Sequence, residues 1–228
     1  MIVKNYSEKE PNLLSGDVVH WMIMMYLNLH RRDIPLFGFR NLCNQSNLPK
    51  KILDCGAGGP TPPLRIFYEH GYECHGIDVD KSKIDQAEDY ALDYSIHLQI
   101  IEANMLDLPY ANSSFSFIYS HHSLFHLLKV DIKRALDEMR RVLVPRGLMY
   151  IDFPILRPND VIDGKKIGKG EFGSMHGIQG HIHSYFEDDE ADIFFDGMEI
   201  IHKMKWEILK SEESIDWFSM IEYVVRKK

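Results

Sequence analysis

One stretch constrains the fold more than any other: Lys50-Lys51-Ile52-Leu53-Asp54-Cys55-Gly56-Ala57-Gly58-Gly59, a short apolar run that ends in a cluster of glycines. Ile52 and Leu53 suit the first, central strand of a parallel sheet. Glycines at 56, 58 and 59 let the backbone turn sharply with no Cβ in the way, so that a flat ligand can lie directly on it. After the turn, Thr61 is placed to cap a helix, Pro62 takes the favoured first position, and Gly71 stands where such a helix would stop. The unit predicted is strand, glycine loop, helix.

A second apolar run, Glu73-Cys74-His75-Gly76-Ile77-Asp78, reads as the next strand and ends in an acid. A carboxylate at that place can accept both hydroxyls of a ribose. A nicotinamide dinucleotide and S-adenosylmethionine both fit this pattern, and the loop separates them. A pyrophosphate needs the N–H groups of a helix N-terminus. Pro62 and Pro63 remove two of those donors, and the spacing from Gly56 to Thr61 lacks the third glycine of the dinucleotide fingerprint. S-adenosylmethionine carries no phosphate and loses nothing.

Through Ile52–Gly58 and Gly76-Ile77-Asp78 the chain resembles the class I S-adenosylmethionine-dependent methyltransferases, specifically their small-molecule "type 11" group. Three further pieces extend the likeness over residues 50–153. Ala103–Tyr110 is similar to the family's adenine loop, Ser114–Ser120 to its fourth strand, and Leu136–Gly147 to the helix, turn and fifth strand that come next, with Arg146 departing from the usual Pro-Gly-Gly. The resemblance implies an α/β fold: a Rossmann-like, seven-stranded, mostly parallel sheet with helices on both faces and an antiparallel C-terminal hairpin. It also implies S-adenosylmethionine as cofactor, with Asp54 near the methionyl end, Gly56 and Gly58 in the loop, Asp78 on the ribose, and Asn104 with the Met105 backbone at the adenine.

With 228 residues, 45% of them hydrophobic, the chain can bury one α/β core, and no composition break asks for a second domain. Within that single domain, 1–45 reads as an N-terminal helical cap, 50–153 as the cofactor-binding core, 155–183 as a lid or insertion, and 184–228 as a C-terminal helix and hairpin. A net charge of −8 leaves no basic face for a phosphate backbone, so a small-molecule substrate is expected and nucleic acid is not. Cys43, Cys55 and Cys74 form no C-x-x-C pair and read as buried reduced thiols. With no signal-peptide core at the N-terminus and no run of membrane-spanning length, a soluble cytoplasmic protein is expected. The sequence is silent on oligomeric state.

Residues 13–31 carry apolar side chains at helical spacing, and Tyr6, Tyr26, Phe37 and Phe39 are candidates for the substrate pocket beside their plainer reading as core. Asp80 should cap a helix whose Ile84, Ala87, Ala91 and Tyr94 form one face, and 97–101 should be the third strand. Asp131 should cap the helix carrying Ile132, Ala135, Leu136, Met139 and Leu143. Six glycines between Pro154 and His183 (164, 168, 170, 173, 177 and 180) suggest a mobile lid over the acceptor, with Phe172, Met175 and His176 supplying contacts. Ser184–Glu187 has capping-box spacing, and 198–209 and 215–226 read as late strands.

Methyl transfer from a sulfonium is an in-line displacement in which charge disappears, so holding the reactants in line and excluding water is most of the task. A base is needed only where the acceptor must lose a proton. His121 and His122, at the carboxyl end of the fourth strand, are the catalytic candidates, each with a bland alternative as a satisfied or solvated imidazole. A zinc site from these histidines with His181 and His183 is disfavoured because no carboxylate accompanies them at ligand spacing. Two rivals are a nicotinamide oxidoreductase, whose Tyr-x-x-x-Lys pair occurs here only as Tyr223 and Lys227, and a non-catalytic S-adenosylmethionine-binding protein, which would be expected to show a damaged loop or a missing acid.

Overall fold

The computed structural model describes residues 33–156, 162, 164–173, 182–209 and 217–228. Tyr6, Tyr26, Met175, His176 and His181 lie outside them. The chain divides into two units, Met1–Gly38 and Phe39–Lys228. Residues 33–38 are the described part of the first unit. The second opens with the later turns of helix α1 (Ile34–Asn44) and carries the sheet.

Strands β1 (Lys51–Cys55), β2 (Glu73–Asp78), β3 (Gln99–Glu102), β4 (Phe115–Ser120) and β5 (Leu143–Pro154) are parallel. Helices α2 (Arg65–Tyr68), α3 (Lys81–Asp93) and α4 (Lys129–Val142) fall between them in sequence. The sheet order is β3-β2-β1-β4-β5-β10-β9, closed by the antiparallel strands β10 (Trp217–Lys227) and β9 (Met198–Leu209). This is the seven-stranded, mostly parallel sheet with a C-terminal hairpin that the sequence predicted. The chain grows outward from β1 on one side through β2 and β3, then returns to β1's other side with β4, so the topology reverses between β1 and β4.

The two-residue period of the strands divides the interior into two layers. On one face Leu53, Cys55, Ile151, Phe153, Ile221 and Tyr223 share a core with the buried stripe of α4: Ile132, Ala135, Leu136, Met139 and Val142. The other face is aromatic and partly polar. Phe67 of α2 stacks on Tyr119 at 5.3 Å, and Phe39 sits 6.2 Å from Phe67 and 5.7 Å from Tyr150. Phe39 is 1% exposed, which makes it core rather than a pocket wall.

Several local expectations are corrected. Thr61 does not cap α2, whose four residues come after Leu64 and a pair of turns, Arg65 N–H to Pro62 O at 3.2 Å and Ile66 N–H to Pro63 O at 3.0 Å. Each proline pushes the residue before it out of the helical region, so regular helix waits until the second proline is passed. Asp80 does cap α3, accepting from Ser82 and Lys83 N–H. Asp131 does not cap α4. It lies in the first turn and pairs with Arg134, while the N-cap position is Leu128. The cap comes from 42 residues away, where Glu171 accepts the Lys129 N–H at 2.7 Å.

Glu171 belongs to the glycine-rich segment, whose described part is not plain loop. Lys165–Gly168 (β6), Glu171–Gly173 (β7) and Ile182–Ser184 (β8) form a three-stranded antiparallel sheet. Ser184 ends β8 instead of starting a helix, and its hydroxyl donates to Leu127 O at 2.7 Å; the helical turn comes later, as the 3-10 segment Glu190–Phe195. Lys129 Nζ adds an ion pair to Glu190 at 2.8 Å.

Gly76 lies in the middle of this packing. A Cβ there would stand 2.5 Å from Ala57 Cβ and 3.1 Å from both Ile100 Cγ1 and Leu64 Cδ1. Gly76→Ala should therefore cost about 1–3 kcal/mol in guanidinium titrations through overpacking, and Met139→Ala about 2–5 kcal/mol through the cavity it leaves.

Candidate active site

The sheet order reverses between the carboxyl ends of β1 and β4, with those of β2 and β3 on the β1 side, and open α/β sheets hold ligands at such a point. Four of the sequence-predicted groups arrive there from different strands. Asp54 is buried in β1, paired in register with Gly76 and Tyr119. The loop after it turns at Gly56, where φ is 106° and a Cβ would fall 2.0 Å from Ser123 Oγ. The Gly56 and Ala57 N–H groups both donate to Ile77 O at 2.9 Å, so β1's loop is tied to the end of β2.

Asp78 holds that loop from the other side. Its Oδ2 accepts the Gly58 N–H at 3.0 Å and its Oδ1 the Asp80 N–H at 2.9 Å. A Cβ at Gly58 would come within 2.7 Å of Asp78 Oδ2, so glycine is needed for the carboxylate to approach. A carboxylate has about four acceptor positions; with two on the backbone, two remain for a pair of ribose hydroxyls, and the site fits a nucleoside. Val79, apolar yet 65% exposed directly after Asp78, is a surface a bound base would cover, and it was missed in the sequence because a lone apolar residue at a strand end carries no pattern.

Asn104 begins the next loop. Its Oδ1, the atom expected at the adenine amine, accepts the Leu106 N–H at 2.9 Å and so shapes the turn that presents Met105. Helix α4 clamps the rest of this loop. Glu138 accepts the Leu108 N–H at 2.9 Å, and Arg141 donates to Leu108 O, Tyr110 O and Asn112 Oδ1 at 3.0, 2.8 and 2.9 Å. The Arg141 guanidinium, with the Leu108 N–H behind it, holds the Glu138 carboxyl below its usual range against a smaller opposing effect of burial.

β4 ends in Ser120, whose hydroxyl donates to Cys55 O at 2.8 Å. His121 and His122 come next, with ring centroids 4.1 Å apart. His122 has φ of 52°, a left-handed conformation that is sparsely populated outside glycine and recurs at functional sites. That turn brings the His122 N–H to within 2.9 Å of Asp152 Oδ1, while the His121 Nδ1–H donates to Asp152 Oδ2 in a very short contact. Tyr150 O–H reaches the same Oδ2 at 3.1 Å. Burial works to raise the Asp152 carboxyl, but His121, followed by His122 and its backbone N–H, outweighs it and holds the group below the usual range.

Asp152 corrects the expectation that no carboxylate accompanies these histidines. It is 31 residues from His121 and reaches it because β5 pairs beside β4. His121, His122 and Asp152 bring three potential metal-ligand atoms within 4.8 Å of one another. Both Asp152 oxygens, however, are already met by N–H and O–H donors, and the donor set is that of a hydrogen-bonded histidine–carboxylate pair. The oxidoreductase candidates are structural here. Tyr223 O–H donates to Asp192 at 2.8 Å, and Lys227 Nζ donates to Arg140 O and Leu143 O at 2.7 and 2.6 Å.

Residues 53–151 match the family described as "Methyltransferase domain". Over those residues the chain is similar to S-adenosylmethionine-dependent methyltransferase domains. It is similar to the O-methyltransferase resE of Aspergillus sclerotiorum, 37% identical over 46% of this chain and 40% of that one. It is also similar to the 27-O-demethylrifamycin SV methyltransferase of Amycolatopsis mediterranei, 25% identical over 58% of this chain and 52% of that one. The chain thus spans about half the length of the curated relatives it matches. Among solved structures, an S-adenosylmethionine-dependent methyltransferase of Methanosarcina mazei superposes with a TM-score of 0.65 over 82% of this chain and 96% of that chain, at 20% identity.

A carboxyl whose folded pKa is lowered adds stability above the unfolded carboxylate value, and that stability is lost as pH falls through the folded value. Asp152→Asn should therefore be less stable than the parent by about 3 kcal/mol at neutral pH. In urea titrations at successive pH the difference should shrink below about pH 4; a gap that stays constant to acid would show that the carboxylate charge is not what the histidines recognise.

Proposed function

We propose that the protein methylates a hydroxyl group of a small molecule, with His121 as general base and Asp152 as its positioning partner. The observation that carries this reading is the His121–Asp152 pair standing at the topological switch point, beside the loop and acid that fit a nucleoside. S-adenosylmethionine, when bound, supplies an electrophilic methyl on a sulfonium. Asp54, the turn at Gly56 and Gly58, Asp78, and the Asn104–Met105 loop would hold it, with Asp78 on the ribose.

The chain's own contribution is geometric and protolytic. Asp152 fixes the His121 tautomer with the proton on Nδ1, so Nε2 is the nitrogen that takes a proton. The acceptor's O–H proton passes to Nε2, which leaves its oxygen able to form a bond to the methyl that the cofactor would supply as its sulfur departs with the S–CH3 electron pair. A base matters most for a hydroxyl, which is a poor nucleophile until its proton departs. That preference agrees with the O-methyltransferases among the similar proteins. Three free, buried thiols, with burial pushing Cys74 up to about 12, suit a reducing cytoplasmic setting. No helix of the described residues is long and apolar enough to cross a membrane.

Asp78→Ala should weaken S-adenosylmethionine binding by about 2–4 kcal/mol in calorimetry, because two charge-assisted hydrogen bonds disappear together. Unchanged affinity would remove Asp78 from the site. With an acceptor identified by screening hydroxylated metabolites for S-adenosylhomocysteine release, His121→Asn should lower kcat about 100-fold or more and leave cofactor affinity alone. Full activity in that variant would rule out the base.

A further inference from the structure

The His121–Asp152 pair continues inward. Tyr150 O–H lies 3.1 Å from Asp152 Oδ2 and 3.4 Å from Glu222 Oε2, and Glu222 Oε1 lies 3.0 Å from His202 Nε2. These groups stand just past the end of β4 and on β5, β10 and β9 in turn, with Asp152 and Glu222 directly opposite in the β5/β10 register. They cross roughly 14 Å of sheet at about 4.8 Å per strand. The Asp152 side chain is 0% exposed and that of Glu222 5%, whereas His202 at the outer end is 40% exposed.

Counting protons shows what is unusual. Four contacts join the five groups: His121–Asp152, Asp152–Tyr150, Tyr150–Glu222 and Glu222–His202. The donors are one N–H from each histidine and one tyrosine hydroxyl, which is one proton short. The Tyr150 hydroxyl can fill its contact with one carboxylate fully, and the other oxygen–oxygen contact is left to a proton from elsewhere. Two carboxylates held this far from water around a single hydroxyl form a costly arrangement unless a proton is shared among them.

We infer that Asp152, Tyr150, Glu222 and His202 form a relay that carries the proton taken by His121 to solvent at the sheet edge; this rests on His121 being the base. When Nε2 receives the acceptor's proton, the Nδ1–H bond breaks and that proton bonds to Asp152, filling the empty contact with Tyr150. Tyr150 then accepts from Asp152 while passing its own proton to Glu222. The proton on Glu222 is then lost to buffer through the exposed His202 ring, which restores the carboxylate. One proton enters, one leaves, and no redox partner is involved. Tyr150 stays neutral between steps, since burial and then the two carboxylates push its hydroxyl up.

The test uses the whole chain with S-adenosylmethionine and a screened acceptor, and compares Glu222→Gln and His202→Asn with the parent and with His121→Asn. Both relay variants should lose about tenfold in kcat at low buffer concentration with cofactor Kd and thermal midpoint nearly unchanged. Added imidazole should restore His202→Asn, whose site is open to water, but not Glu222→Gln. Parental kcat in both variants at every buffer concentration overturns the relay, as does a loss in both that imidazole cannot restore. If His121→Asn is fully active, the base assignment fails first and the relay with it. If His121→Asn is inactive while both relay variants match the parent, only the relay fails.

Discussion

The structure depends on one constraint, the position of β1 between two parallel neighbours that the chain reaches from opposite directions. Because β2 and β4 both pair with β1, the connections after them diverge to opposite faces and leave a crevice above the strand ends. Asp54, Asp78, Asn104 and His121 lie at the ends of, or just after, four different strands of the parallel sheet. The loop after β1 is fastened to Ile77 O and to the Asp78 carboxylate, and the end of β4 is fastened to Cys55 O through Ser120. The backbone around the crevice is therefore set before any ligand arrives, and little ordering remains as a cost of binding.

The strand, glycine loop and acid around β1 and β2 were legible in the sequence, because their signals are local. A glycine where φ is 106° or where a carboxylate must approach leaves a fixed mark in a short window, and an acid at the end of an apolar run leaves another. The succession of strands came from the same alternation of apolar runs and caps, and the pairing of the last two as a hairpin from what the family resemblance implies. What was missed is what sheet pairing alone brings together. Asp152 lies in a run, Tyr150-Ile151-Asp152-Phe153, that reads as an ordinary buried strand. Nothing in its own neighbourhood says that β4 will set His121 beside it or that β10 will set Glu222 opposite. The helix starts failed for related reasons. Paired prolines delayed α2, and the cap of α4 arrived from a distant strand, so the polar residue found close by in sequence was the wrong one.

The two layers of the interior carry different physical duties. The face against α4 is apolar and closes by burial alone. The opposite face places carboxylates, a phenol and an imidazole among aromatic rings, where each polar group must find a partner or destabilise the fold. Tyr150 belongs to both kinds of environment, with its ring against Phe39 and its hydroxyl between two acids. Substitutions on this face change packing and proton affinity together.

Glu171 gives the glycine-rich excursion a meaning beyond its own shape. By closing the start of α4, the excursion supports the helix whose far end grips the loop after β3 through Glu138 and Arg141. An evolving lineage that exchanged this excursion to suit a different acceptor would inherit a fixed docking port. Any replacement must present an acceptor to the Lys129 amide, or leave α4 frayed at its first turn. Diversity in such a segment is expected to concentrate away from that one carboxylate, and horizontal exchange of the segment between paralogues should succeed only where the port is kept.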